Sequence, residues 1–96
     1  MILHTLNASP SSPAFTDCLK IIAKDDAIVL MGDGVYAAIA HTGASRVLED
    51  TNARLYVMTE DAAAAGVVNL CDAFSRIDMA GFVILTEKFP RQQAWY

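Results

Sequence analysis

Apolar residues recur along the chain in short runs separated by amphipathic stretches. Ile2–Leu6 has the length and character of a strand. Ala27–Met31, reading AIVLM, is a continuous apolar run of the kind buried on both faces of a sheet, and Leu55–Met58 (LYVM) repeats that character. Ser75–Asp78 (SRID) is a fourth, weaker segment, short enough for a sheet edge. Between these lie helical patterns with start and stop signals. Ser12 before Pro13 supplies an N-cap and a first-turn proline for Pro13–Lys24. Asp33 is placed to cap a helix over Val35–Ala40. Glu60 and Asp61 put acid at the positive end of Glu60–Ala65, which Gly66 stops, and Asp78 caps Met79–Lys88, which Pro90 ends. This alternation predicts an α/β fold with a small, mainly parallel sheet of about four strands, covered on both faces through right-handed crossovers.

Composition narrows what such a domain does. The 96 residues are 54% hydrophobic and 19% charged, with a formal charge of −4 and a mean hydropathy of +0.33. A globular domain with much surface committed to partners fits that balance better than a disordered chain does. Seven Lys and Arg scattered along an acidic chain argue against direct nucleic-acid binding. Cys18 and Cys71 stand far apart with no second pair, so neither a disulfide framework nor a zinc site is expected. The longest apolar and glycine run, Met79–Leu85, is too short to cross a bilayer, and no leader pattern opens the sequence. A reducing cytoplasm is the expected setting.

One stretch invites a cofactor. In VLMGDGVYAA, residues Gly32, Gly34 and Ala37 have the G-x-G-x-x-A spacing of a dinucleotide turn between a strand and a helix. A nucleotide-binding module using Gly32–Ala37 is therefore one reading. Against it, Asp33 sets a carboxylate where an anion would sit, and its capping would use the N–H donors a phosphate needs. The chain is also too short for two mononucleotide halves, and Glu60 lies beyond the usual spacing of about 20 residues. An Asp-capped tight turn accounts for the same residues, and no cofactor or metal is expected.

The thiols and imidazoles read as structural on their spacing. Cys18 shares a helical face with Phe15 and Ile22, Leu19 and Ile21 lie near its edge, and Thr16, Asp17 and Lys20 point away. That is the pattern of a small buried hydrophobe, too deep in its helix for the dipole to activate it. Cys71 lies in the segment Val67–Phe74 beside Asp72, whose charge raises a thiol pKa. His4 sits in the first strand and His41 follows the second helix, each without a partner nearby in sequence. No catalytic triad order and no H-E-x-x-H signature is present.

Taken together, ILHTLNASP at the N-terminus, DGVYAA at 33–38, LYVMTEDAAAAG at 55–66 and IDMAGFVILTEKFPRQQAW at 77–95 resemble the TusB/DsrH family of DsrE/F/H-like sulfur-relay proteins. The resemblance runs nearly end to end. It implies a single three-layer α/β/α domain over residues 1–96, acting as an accessory, non-catalytic subunit of a heterohexamer with TusC-like and TusD-like chains. Such a complex carries sulfur as a cysteine persulfide, taking it from a TusA-like donor and passing it to a TusE-like acceptor for 2-thiouridine synthesis at the tRNA wobble position. The principal sulfur-carrying cysteine of the family belongs to the TusD/DsrE subunit. In the related sulfur-oxidation branch, DsrH-type members have a cysteine in the corresponding first helix, matched here by FTDCLK. The resemblance thereby makes Cys18 a candidate secondary sulfur acceptor, and a DsrH-like subunit using it is the alternative reading.

Overall fold

In the computed structural model, which describes residues 1–96, five strands form one parallel sheet. The elements are β1 (Ile2–Leu6), α1 (Pro13–Ile21), β2 (Ala27–Leu30), a 3-10 helix (Gly32–Ala38), α2 (Gly43–Asp50), β3 (Arg54–Met58), α3 (Thr59–Ala64), β4 (Ser75–Ile77), α4 (Met79–Lys88) and β5 (Arg91–Trp95). Strand order is β4-β3-β2-β1-β5. The register aligns Leu3 with Ala27 and Gln92, and Val29 with Tyr56.

This order, with right-handed crossovers, decides where the helices go. From β1 to β4 each connection steps one strand in the same direction, so three right-handed crossovers all lie on one face. The last connection returns from the β4 edge to the β5 edge, so α4 alone crosses the opposite face. The two cores follow. On the crowded face, Leu6, Ile28, Leu30, Leu55 and Val57 join Phe15, Cys18, Val35, Leu48 and Ala62 in a cluster of 15 buried residues. On the other, Leu3, Ala27, Val29 and Met58 meet Leu85 and Phe89 in a cluster of only 6. Alternation along the strands sorts the residues between faces, and β2, in the centre, is buried at every position.

Most predicted elements stand where the pattern puts them. Ser12 accepts from Phe15 N–H at 3.4 Å and Asp78 from Gly81 N–H at 2.8 Å, so both caps form. Gly66 takes a φ of 75° just beyond α3. Four details differ. α1 stops at Ile21 instead of Lys24, because Ala23 N–H turns to the Asp26 carboxylate at 3.0 Å. The segment after β2 is a 3-10 helix over Gly32–Ala38, and Asp33 is exposed and caps nothing. A helix absent from the pattern, α2, fills Gly43–Asp50, with Thr42 accepting from Ser45 N–H at 3.3 Å. Finally the sheet has five strands where about four are expected, since RQQAW pairs along β1 as an edge strand with almost every residue exposed.

Gly34 fits its site for want of a side chain: a Cβ there would stand 2.0 Å from the Leu6 carbonyl oxygen. Gly34→Ala therefore forces the 3-10 helix off β1, and we expect a loss of about 2–3 kcal/mol, read as a lowered urea midpoint with an unchanged m-value.

Candidate functional site

Four places in the fold carry groups with chemical potential, and the contacts around each decide what it does. The first is His4. Alternation along β1 turns it to the crowded face, where it is fully buried. Its Nδ1 accepts the indole N–H of Trp95 at 3.1 Å, and the two rings stack with centroids 6.2 Å apart. Because an indole nitrogen only donates, Nδ1 holds the lone pair and the ring proton sits on Nε2, directed at Asp26 Oδ2 2.9 Å away. Asp26 also accepts from Ile2 N–H at 2.8 Å and Ala23 N–H at 3.0 Å. Burial opposes its ionisation, but these bonds from Ala23, His4 and Ile2 outweigh it and hold the carboxyl below the ordinary 3.8. Both imidazole nitrogens are engaged, so His4 fastens the fold and leaves no atom for a substrate. Its partners lie 22 and 91 positions away, beyond the reach of any local pattern.

The second place is the glycine turn. Gly32 adopts a φ of 49°, as a strand-to-helix reversal requires. Its N–H, a donor a phosphate would use, instead donates to Asp61 Oδ2 at 2.9 Å. With Asp33 beside it, the turn presents two carboxylates, which repel a pyrophosphate. The expected Asp33 cap does not form, and it is Asp61 that takes the donor.

The third is Cys18, on the inner side of α1 with no exposed surface, packed in the larger core. Burial pushes its thiol up to about 12. Thiolate, the form that attacks disulfides and persulfides, is therefore scarce at neutral pH.

The fourth was not legible in the sequence, because it depends on α2. Ile39 and Leu70 form an antiparallel bridge, Ala40 N–H donates to Asn69 O at 2.8 Å, and Cys71 N–H donates to Ala38 O at 2.7 Å. This staple holds Cys71 over α2, in a cleft of about 450 Å³ lined in part by His41, Arg46, Glu49 and Asn69. The half-buried thiol donates to Glu49 Oε1 at 2.9 Å. That hydrogen bond, then burial and the charges of Glu49 and Asp72, raise its pKa. His41 lies exposed at the rim with a φ of 63°. Nowhere do three or more His, Cys, Asp or Glu side chains converge as a metal ion requires, and no helix is long and apolar enough to cross a membrane.

The chain is similar to known proteins along nearly its whole length. The model of the DsrH like protein family matches residues 8–92. Protein TusB of Klebsiella pneumoniae subsp. pneumoniae is 36% identical over 95 residues, spanning 98% of this chain and 100% of that protein. Protein TusB of Salmonella enteritidis matches with the same identity and coverage. Among solved structures, the ychN protein from E. coli superposes with a TM-score of 0.72 at 14% identity, covering 97% of both chains. A protein of unknown function, MTH1491, from Methanobacterium thermoautotrophicum gives 0.69 at 11% identity, covering 97% of this chain and 96% of that one. At such identities the structural matches speak for the fold.

Two outcomes follow from the geometry. Iodoacetamide labels Cys71 first in the folded chain, and Cys18 only as fast as the chain unfolds; equal labelling by peptide mass spectrometry contradicts the burial of Cys18. The depressed Asp26 pKa gives stability that is complete above 3.8 and is lost as the pH falls through the lower folded value. Asp26→Asn is therefore expected to lose about 2 kcal/mol at neutral pH and to flatten the acid limb of a pH series of urea unfolding curves.

Proposed function

This chain belongs to the DsrH-like family, and from that membership we propose that it is a TusB-type subunit of a sulfur-relay complex serving 2-thiouridine synthesis at the tRNA wobble position. The observation that carries the reading is the 36% identity to TusB proteins across 98% of the chain. In this reading it assembles in the cytoplasm with TusC-like and TusD-like chains as a heterohexamer. Sulfur enters from a TusA-like donor and leaves to a TusE-like acceptor.

The chemistry of the relay defines what this subunit contributes. Sulfane sulfur moves when a thiolate attacks the outer sulfur of a persulfide, forming one S–S bond as the other breaks and releasing the donor as thiolate. An acceptor thiol must be reachable and easily ionised. Cys18 is enclosed and raised to about 12, and Cys71 is raised by Glu49. Both properties support a subunit that completes the assembly while a partner presents the carrier cysteine. An accessory role also accords with the closed hydrogen bonding of His4. A carrier role for Cys18, as in a DsrH-like subunit for sulfur oxidation, would require α1 to move away from the sheet and expose the thiol.

Co-expression with the TusC-like and TusD-like chains of the same genome tests the proposal. The expected result is one stable complex containing all three, whose in vitro sulfur transfer survives Cys18→Ala with at most about a twofold change while Tm falls, as loss of a buried side-chain atom dictates. Failure of the chain to join the complex overturns the reading. Persulfide on Cys18 in the assembled complex, found by mass spectrometry, replaces the accessory role with the carrier one.

A further inference from the structure

Beyond its backbone ladder, β5 is held to the sheet by one side chain, and a proton competes for the atom that holds it. Arg91, Gln92, Gln93 and Ala94 are exposed, and only Trp95 packs, half-buried, against the larger core. Its indole N–H donates to His4 Nδ1 at 3.1 Å. That nitrogen is the one basic atom left on the imidazole, because Nε2 directs its proton at Asp26 Oδ2 2.9 Å away. With a second proton on Nδ1, ring and indole would set two donors against each other, and the indole has no lone pair to accept either. The indole and a solvent proton therefore exclude one another.

We propose that His4 is a pH-operated clasp: protonation of Nδ1 releases Trp95 and frees the end of β5 from the sheet edge, while the rest of the fold stays closed. The surroundings of the ring accept the incoming charge. Asp26, held also by Ile2 N–H and Ala23 N–H, faces the imidazole as a carboxylate and is the only charged group bonded to it. β2 brings no titratable group. α1 turns Asp17 and Lys20 to solvent and only the uncharged thiol of Cys18 inward, and Lys24 and Asp25 in the next turn are exposed. Arg91, at the far end of β5, and Tyr96 beyond Trp95 are exposed as well. An imidazolium is thus supported by Asp26 once the indole has left, whereas the indole docks only on the neutral ring. The coupling is reciprocal, so Trp95 opposes protonation as strongly as protonation opposes Trp95. With one proton taken up on release, the released form gains up to about tenfold on the docked form per pH unit of acidification.

The opening is local. Trp95 O accepts from Asn7 N–H at 2.9 Å, and Ala94 and Trp95 pair with Thr5 and Leu6. Their departure uncovers the outer edge of β1 at the carboxyl end of the sheet, while Leu3–Leu6 keep their ladder with β2. Acidification is thereby converted into an unpaired strand edge. The inference stands on hydrogen bonds within the chain and does not rest on the sulfur-relay reading.

Trp95 is the only tryptophan and His4 one of two histidines, so both halves of the clasp can be followed in the full chain. Between about pH 8 and 5, where imidazoles titrate, the expected result is a one-proton transition. Trp95 emission shifts to the red and its quenching by acrylamide increases, while far-UV circular dichroism and the methyl NMR signals of the larger core hold steady. In a His41→Asn background, which suits the φ of 63° at that position, nitrogen NMR of the remaining imidazole finds the proton on Nε2 at high pH. The same ring titrates with the midpoint of the fluorescence change. Trp95→Phe raises that midpoint by about one pH unit, equivalent to one ordinary hydrogen bond, and His4→Gln removes the fluorescence transition. Emission that stays flat over the range, or that moves only when the circular dichroism collapses, overturns the proposal. So do a fluorescence transition that survives His4→Gln and an imidazole midpoint that Trp95→Phe leaves in place, the latter being a measurement that needs no His4 variant to fold.

Discussion

The hydrogen-bonded chain Asp26–His4–Trp95 is the constraint on which the architecture turns. A carboxylate and an imidazole out of water are tolerable only when every polar atom has a partner, and here each does. Asp26 fixes the start of β1 through Ile2, the end of α1 through Ala23, and His4 in the middle of the strand. His4 in turn receives Trp95, the last residue of β5. β5 is otherwise polar and exposed, with little apolar burial of its own to hold it. Its ladder with β1 and the Trp95 anchor keep it at the edge, and only a strand at that edge forces α4 to cross the sheet.

The unequal faces are a consequence of handedness. Three crossovers stepping in one direction must share a face, which crowds α1, the 3-10 helix, α2 and α3 over one side of β1–β3. There α1 turns Phe15 and Cys18 inward and keeps only Ile21 among its large apolar residues in the open, while the 3-10 helix and α2 leave Tyr36 and Val47 partly exposed. On the other side a single helix covers a five-stranded sheet. Half-buried Met31, Tyr56 and Ile77 line its flanks. Of the large apolar residues left exposed, Met79, Val83 and Ile84 share α4, while Ile21, Tyr36, Val47 and Val68 stand singly on other elements and loops.

Much of this order was legible along the chain because it depends on local signals. β1, β2 and β3 announce themselves by apolar runs, and the Ser12 and Asp78 caps fix two helix starts within hydrogen-bonding distance of their donors. What escaped depends on contacts far apart in sequence. RQQAW has no apolar pattern and becomes a strand because β1 offers it a ladder and His4 a partner for its tryptophan. GASRVLED is short and mostly polar, and becomes α2 when Leu48 and Ser45 are buried against the core and Thr42 caps it. Losing α2 also hid the Cys71–Glu49 contact, since nothing in the spacing of residues 22 apart brings a thiol to a carboxylate.

The places where the sequence offered chemistry share a fate that bears on function. The glycine turn loses a donor to Asp61, the Cys71 thiol is bound by Glu49, and Cys18 is enclosed by the core. Two of the three are quieted by carboxylates of an acidic chain, whose negative charge disfavours both a phosphate ligand and a thiolate. The third is quieted by desolvation, which acts in the same direction on a thiol. The proposed relay role accords with such inertness, because each extra reachable thiolate would be another resting place for a persulfide and a branch away from the next carrier. In the proposed relay, a subunit that holds its cysteines protonated would leave the sulfur to the thiols its partners present.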